Sequence, residues 1–142
     1  TKVTDIHAIA SDSDQSQPLY TSRTAAGFGV PGDDNVEDTL NVQEYLVKNP
    51  STTFFVRVTG DSMEGAKIFD GDVLVVDRSQ TAKQNSIVIA AVNGEMVVKR
   101  LRISSSGTFL ISENEEYQPI ELTDSDNCFI WGVVTGSART LS

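Results

Sequence analysis

The sequence predicts a mainly β protein: a compact, curled or barrel-like antiparallel domain with one short helix and a flexible N-terminal arm. Three observations carry this. Short runs rich in β-branched and aromatic residues follow one another closely from residue 52 onward, the pattern of sandwiches and small barrels. Asn93-Gly94 stands between two of those runs and favours a tight hairpin, while Asp70-Gly71-Asp72 marks another turn. An apolar content of 39% in 142 residues suits one domain large enough to bury a core.

Taken in order, residues 1–26 are polar, with SDSDQSQPLYTSRT at 11–24. They carry no helical period with enough apolar residues for a packed face, and read as a mobile arm. AAGFGVPGDD at 25–34 combines small residues, glycines and a proline, the composition of a linker. The division expected is therefore an arm at 1–34 and a β-rich domain at 35–142. NVQEYLVKNP, 41–50, reads as a short helix: Asn41 caps it, Glu44 completes a capping box, and Pro50 stops it. Val42, Tyr45 and Leu46 share one face, expected to pack. The strands follow as TTFFVRV (52–58), DVLVVD (72–77), SIVIAAV (86–92), EMVVKRL (95–101), TFLIS (108–112) and FIWGVV (129–134).

Composition narrows the function. The formal charge of −9, with basic residues scattered, argues against direct nucleic-acid binding, which needs clustered Lys and Arg. Partners near DNA would be proteins. The single Cys128 excludes an internal disulfide and a cysteine-based zinc cluster, so no metal or other cofactor is expected. The longest apolar run, IVIAAV at 87–92, is far short of the roughly 20 residues that span a bilayer. No apolar signal segment opens the chain, so no membrane contact is expected and a cytoplasmic location fits.

The chemistry turns on VTGDSMEG, 58–65, where a strand runs into a Gly turn that presents Ser62. Ser62 is either a nucleophile or a turn and cap residue. The one histidine, His7, lies in the arm and is a poor candidate base. Lysine is the next choice, because Ser-Lys pairs perform the same proton transfer. A solvated lysine of pKa about 10.4 is neutral to well under ~0.1% at pH 7, so a lysine base needs an apolar wall. Of five lysines, Lys2, Lys48, Lys67 and Lys83 lie in the arm, at the helix end or in polar turns; Lys99 alone sits inside a convincing strand. By alternation it shares a face with Val97 and Leu101. The opposite face, Met96 and Val98, is apolar too. Pattern therefore leaves open an edge-strand lysine lifting its charge to water. Asp61 and Glu64 do not aid nucleophilicity and read as holding the turn.

Read together, GDSM at 60–63, DGDVLVVD at 70–77 and AAVNGEMVVKRL at 90–101 resemble the LexA/UmuD family of self-cleaving Ser-Lys proteins. The likeness runs from about residue 25 to 134. GFGVPGDDNVEDTLNVQEYL, NPSTTFFVRVTGDSM, EEYQPIEL and FIWGVV are similar, in order, to segments of its UmuD branch. The resemblance implies that Ser62 is the nucleophile, that Lys99 is the base, and that the arm is cut at Ala26–Gly27. Enteric UmuD has cysteine before the cut; the alanine here matches LexA-type relatives. The oxyanion would need backbone N–H donors at the 60–63 turn, with Ser62 and the adjacent Asp61 as candidates. The resemblance further implies a homodimer, a cut stimulated by the RecA filament on single-stranded DNA, and a trimmed form serving a UmuC-type subunit of an error-prone translesion polymerase. The rivals are a LexA-type repressor, whose DNA-reading module would not fit in 26 residues; a signal peptidase, which needs a membrane anchor; and a binding module whose Ser62 is idle.

Overall fold

The computed structural model describes residues 1–9, 16–20, 36–123 and 127–142. Its elements are β1 (Lys2–Ala8), β2 (Ser16–Tyr20), β3 (Val36–Asn41), α1 (Val42–Leu46), β4 (Thr53–Thr59), β5 (Val73–Asp77), β6 (Ile87–Val92), β7 (Glu95–Ser104), β8 (Gly107–Ile111), β9 (Ile120–Glu121) and β10 (Cys128–Ala138). Two compact units divide the chain: Thr1–Ile9 with Asn49–Ser142, and Ala10–Lys48.

In the first unit, one antiparallel sheet runs in the order β1-β4-β5-β10-β6-β7-β8-β9. Its first strand also pairs with β7, Lys2 opposite Val97, so six strands close into a barrel and β8 and β9 extend it. The fold class read from the sequence is the one observed. Alternation explains the core on one face: Val56 and Val58 of β4, Leu74 and Val76 of β5, Ile89 of β6 and Val98 of β7 pack with Met63 and Ile68. A second cluster gathers Val88, Ala90, Val97, Leu101 and Leu110. β6 and the middle of β7 are thus buried on both faces, which is why β6 reads as an unbroken apolar run and β7 is apolar on both sides of Lys99. Each fully buried Val or Leu side chain contributes roughly 1.5–3 kcal/mol, so both layers matter to stability.

The turns follow residue chemistry. Asn93 and Gly94 take φ of 51° and 84°, the left-handed pair of a type I′ hairpin, and join Val92 to Glu95. Late in the chain, Trp131 tilts against Phe54 at 5.4 Å, the Arg78 guanidinium lies 4.5 Å over the indole, and Cys128 packs against the second cluster.

Lys2–Ala8, inside the stretch read as an arm, forms β1. It runs antiparallel to β4 with Val3 opposite Val58 and Ile6 opposite Val56, and a register shift between Val3 and Asp5. Its side chains are mostly exposed, so backbone bonds rather than an apolar stripe hold it. A strand of that kind leaves no alternation to read. The Ala26–Gly27 bond lies outside the described residues.

In the second unit, β2 and β3 pair antiparallel, and α1 begins where its cap predicts: Asn41 Oδ1 accepts the Glu44 N–H at 3.0 Å. The helix is shorter than 41–50. Val47 turns extended (φ −115°, ψ 109°), while Pro50 opens a separate 3₁₀ turn, Pro50–Thr52, and restricts the residue before it. Val42 and Tyr45 are exposed rather than packed, and the Lys48 ammonium lies 5.7 Å over the Tyr45 ring.

Candidate active site

The serine turn is built where β4 ends. Gly60, at φ 108°, swings the chain out of the strand, a conformation costly for any side-chain-bearing residue. The Asp70 carboxylate steadies that corner, accepting the Thr59 hydroxyl at 2.6 Å and the Gly60 N–H at 2.9 Å. The hydroxyl bond, then the N–H, hold its pKa below the ordinary 3.8. One turn later Met63 plugs into the core, fully buried, and fixes Ser62 beside it, which is also fully buried. Glu113 closes the turn from the other side. Its N–H donates to the Ser62 carbonyl at 2.8 Å and its carbonyl accepts the Gly65 N–H at 2.9 Å. A Cβ at Gly65 would stand 2.6 Å from the Glu113 oxygen, so only glycine permits this approach.

Lys99 comes from the middle of β7, opposite Val88 of β6 and between Val97 and Leu101 of the second cluster. It is 7% exposed, which removes the solvent-facing alternative that alternation left open. Its Nζ donates to Ser112 Oγ at 2.6 Å and sits 5.7 Å over the Tyr117 ring. Burial lowers its pKa from the ordinary 10.5, because a desolvated ammonium is disfavoured.

Ser62 Oγ is occupied. The Thr1 ammonium donates to it, and it donates to Thr1 Oγ1 at 3.0 Å. The Thr1 amine has its pKa lowered, first by burial and next by the positive charge of Lys99, with Asp61 opposing. Thr1 also accepts the Val98 N–H at 3.0 Å, one residue from Lys99. Among the described residues no hydrogen bond joins Ser62 Oγ to Lys99 Nζ. The two are brought together through shared neighbours: Thr1 on one side, and Ser112-Glu113 on the other.

The remaining sequence candidates fall around this centre. The Asp61 carboxylate accepts the Tyr117 hydroxyl at 2.8 Å, and the Asp61 carbonyl accepts Asn114 Nδ2 at 3.3 Å. The bond to Asp61 and its charge raise the Tyr117 pKa. Ala26 and Gly27 lie outside the described residues. His7 is exposed on β1, opposite Phe55. Sequence reasoning missed Thr1, Ser112, Glu113 and Tyr117. One of them was findable: the turn that pairs Ser104 with Gly107 sets the β7–β8 register, which runs back to Arg100 opposite Ile111 and, one step further, places Ser112 across from Lys99.

A closed β barrel that buries a serine turn next to a desolvated lysine defines a class of protein, and the chain belongs to it: the Peptidase S24-like family, a family of self-cleaving serine peptidases, matches residues 18–135. Particular relatives are similar over most of their length. Protein MucA of Salmonella typhimurium is 47% identical over 124 residues, covering 86% of this chain and 84% of that one. Protein ImpA of Shigella flexneri is 37% identical over 125 residues, covering 87% and 84%. A LexA repressor from Alcanivorax borkumensis is 38% identical over 117 residues, covering 82% of this chain but 56% of the repressor.

Proposed function

We propose that this chain is a UmuD-like protein of the SOS mutagenesis response that cuts its own N-terminal arm at Ala26–Gly27 with a Ser62–Lys99 dyad. The observation that supports this best is the burial of both groups in one neighbourhood, with a lysine whose amine is desolvated. Neutral Lys99 takes the Ser62 proton as Oγ attacks the Ala26 carbonyl. The protonated lysine then gives that proton to the Gly27 amine as the peptide C–N bond breaks, and water releases the acyl group. The backbone N–H groups of Ser62 and Asp61 are the proposed donors to the oxyanion. Because Ser62 Oγ is bonded to the Thr1 hydroxyl, attack requires that bond to break first. The reaction is therefore slow until the scissile bond is docked.

A RecA filament on single-stranded DNA speeds the cut by favouring the docked arm. The trimmed homodimer then serves a UmuC-type translesion polymerase subunit. Incubating the intact chain at rising pH, with mass spectrometry, tests the chemistry. Fragments ending at Ala26 and beginning at Gly27 should accumulate faster as pH rises, and Ser62→Ala and Lys99→Ala should stay whole. Either variant cutting at the wild-type rate removes the dyad. The identity to LexA supports a second reading, the self-cleaving C-terminal part of a repressor. A native product carrying a DNA-reading module ahead of residue 1 would favour it.

A further inference from the structure

The exit of β8 touches both members of the proposed dyad. Ser112 Oγ accepts Lys99 Nζ at 2.6 Å. Its neighbour Glu113 holds the Ser62 carbonyl at 2.8 Å and the Gly65 N–H at 2.9 Å through its backbone, and the Arg100 guanidinium through its carboxylate. Two consecutive residues of β7 are thus tied to two consecutive residues at the end of β8, and the second of these is tied to the serine turn. A flexible lysine stem has four rotatable bonds, and among the described residues its amine is pinned by Ser112 alone.

We propose that Ser112 is the positioning residue for Lys99, holding the amine so that its lone pair is free for the Ser62 proton. This inference rests on the dyad reading above. A neutral amine has two N–H bonds and one lone pair. When one N–H is committed to Ser112 Oγ, the lone pair points away from Ser112 and stays available as an acceptor. After proton transfer the same hydroxyl accepts from the ammonium, the only side-chain oxygen bonded to it among the described residues. The Tyr117 ring that faces this amine supplies no such acceptor: it lies 5.7 Å away with its hydroxyl committed to Asp61.

Two effects follow from removing the hydroxyl. The amine loses its orientation, and the ammonium loses its acceptor, so its pKa falls further. Ser112→Ala should therefore slow alkaline self-cleavage about 10- to 100-fold on the high-pH plateau, with the midpoint of the rate profile moved to lower pH. Ser112→Thr, which keeps the hydroxyl, should restore both. Circular dichroism checks that each variant is folded. On a Ser62→Ala background, where the chain stays whole, NMR titration of the Lys99 ε-carbon should show the same downward shift for Ser112→Ala and its reversal for Ser112→Thr. Cleavage of Ser112→Ala at the wild-type rate, or a slower rate with an unmoved midpoint in both measurements, overturns the positioning role while leaving the dyad intact. A wild-type chain that stays whole at every pH overturns the dyad and this role with it.

Discussion

Burial of Lys99 imposes a cost on its ammonium. Its folded-state pKa lies below the ordinary 10.5. Between the folded and unfolded values the unfolded chain binds more protons, so stability rises with pH across that window. Below the folded value the penalty for a buried ammonium is present in full. Lys99→Met keeps the length of the apolar stem and removes the charge. At pH 7 it should raise stability by about 1 kcal/mol, or roughly 2–4 °C in melting temperature. The gain should shrink at pH 10, as wild-type Lys99 loses its proton and the difference between the two chains narrows. Thermal melts at the two pH values check this; equal gains at both would mean the ammonium is not the source.

Strand ends are fixed by a different buried charge, Asp77, where β5 finishes. Its carboxylate accepts Asn49 Nδ2 at 2.8 Å, Thr52 Oγ1 at 2.7 Å, the Ser79 N–H at 2.9 Å and the Ser79 hydroxyl at 2.7 Å. Asp77 thereby fastens the turn that enters β4 to the turn that leaves β5, and in register it lies opposite Thr53 of β4 and Val133 of β10. Burial, the largest single influence, pushes its pKa up; the bonds from Asn49, Thr52 and Ser79 outweigh it and hold the carboxyl well below 3.8. The stability it supplies is fully present above pH 3.8 and is lost as pH falls through the depressed folded value. Asp77→Ala leaves several donors unpaired in a buried site and should cost about 2–4 kcal/mol. Urea unfolding at pH 7 measures this, and the gap between variant and wild type should close in strong acid.

At the scale of the molecule, closure of the barrel depends on a strand with little apolar character. β1 lies between β4 and β7, and Thr1 at its start covers Ser62 Oγ. Deleting residues 1–9 should leave β4 and β7 as open edges, a known route to association between chains. Amide exchange should then speed along β4 and at Val98, whose N–H loses the Thr1 carbonyl, while the interior of β6 and β10 stays protected. Exchange unchanged along β4 would mean that β1 does not seal the barrel in solution.

The strand-rich half of the chain was legible because β-branched runs, an Asn-Gly turn and a capped helix start are local signals, each written in a few adjacent residues. Ser62 and Lys99 were legible as candidates for the same reason: one sits in a Gly turn after a strand, the other in the middle of one. Their burial was not, since Met96 and Val98 are as apolar as Val97 and Leu101, and only a sheet covered on both faces settles where the ammonium goes. Nor could the composition of residues 2–8 announce β1, because exposed side chains carry no alternation and the strand exists through backbone bonds to β4. Tertiary structure alone brought Thr1 and Glu113 to the serine turn, whereas Ser112 reaches Lys99 through the register of the β7–β8 hairpin. Contacts between residues 51 and 61 positions apart depend on strand order and barrel closure, which no local run of sequence encodes.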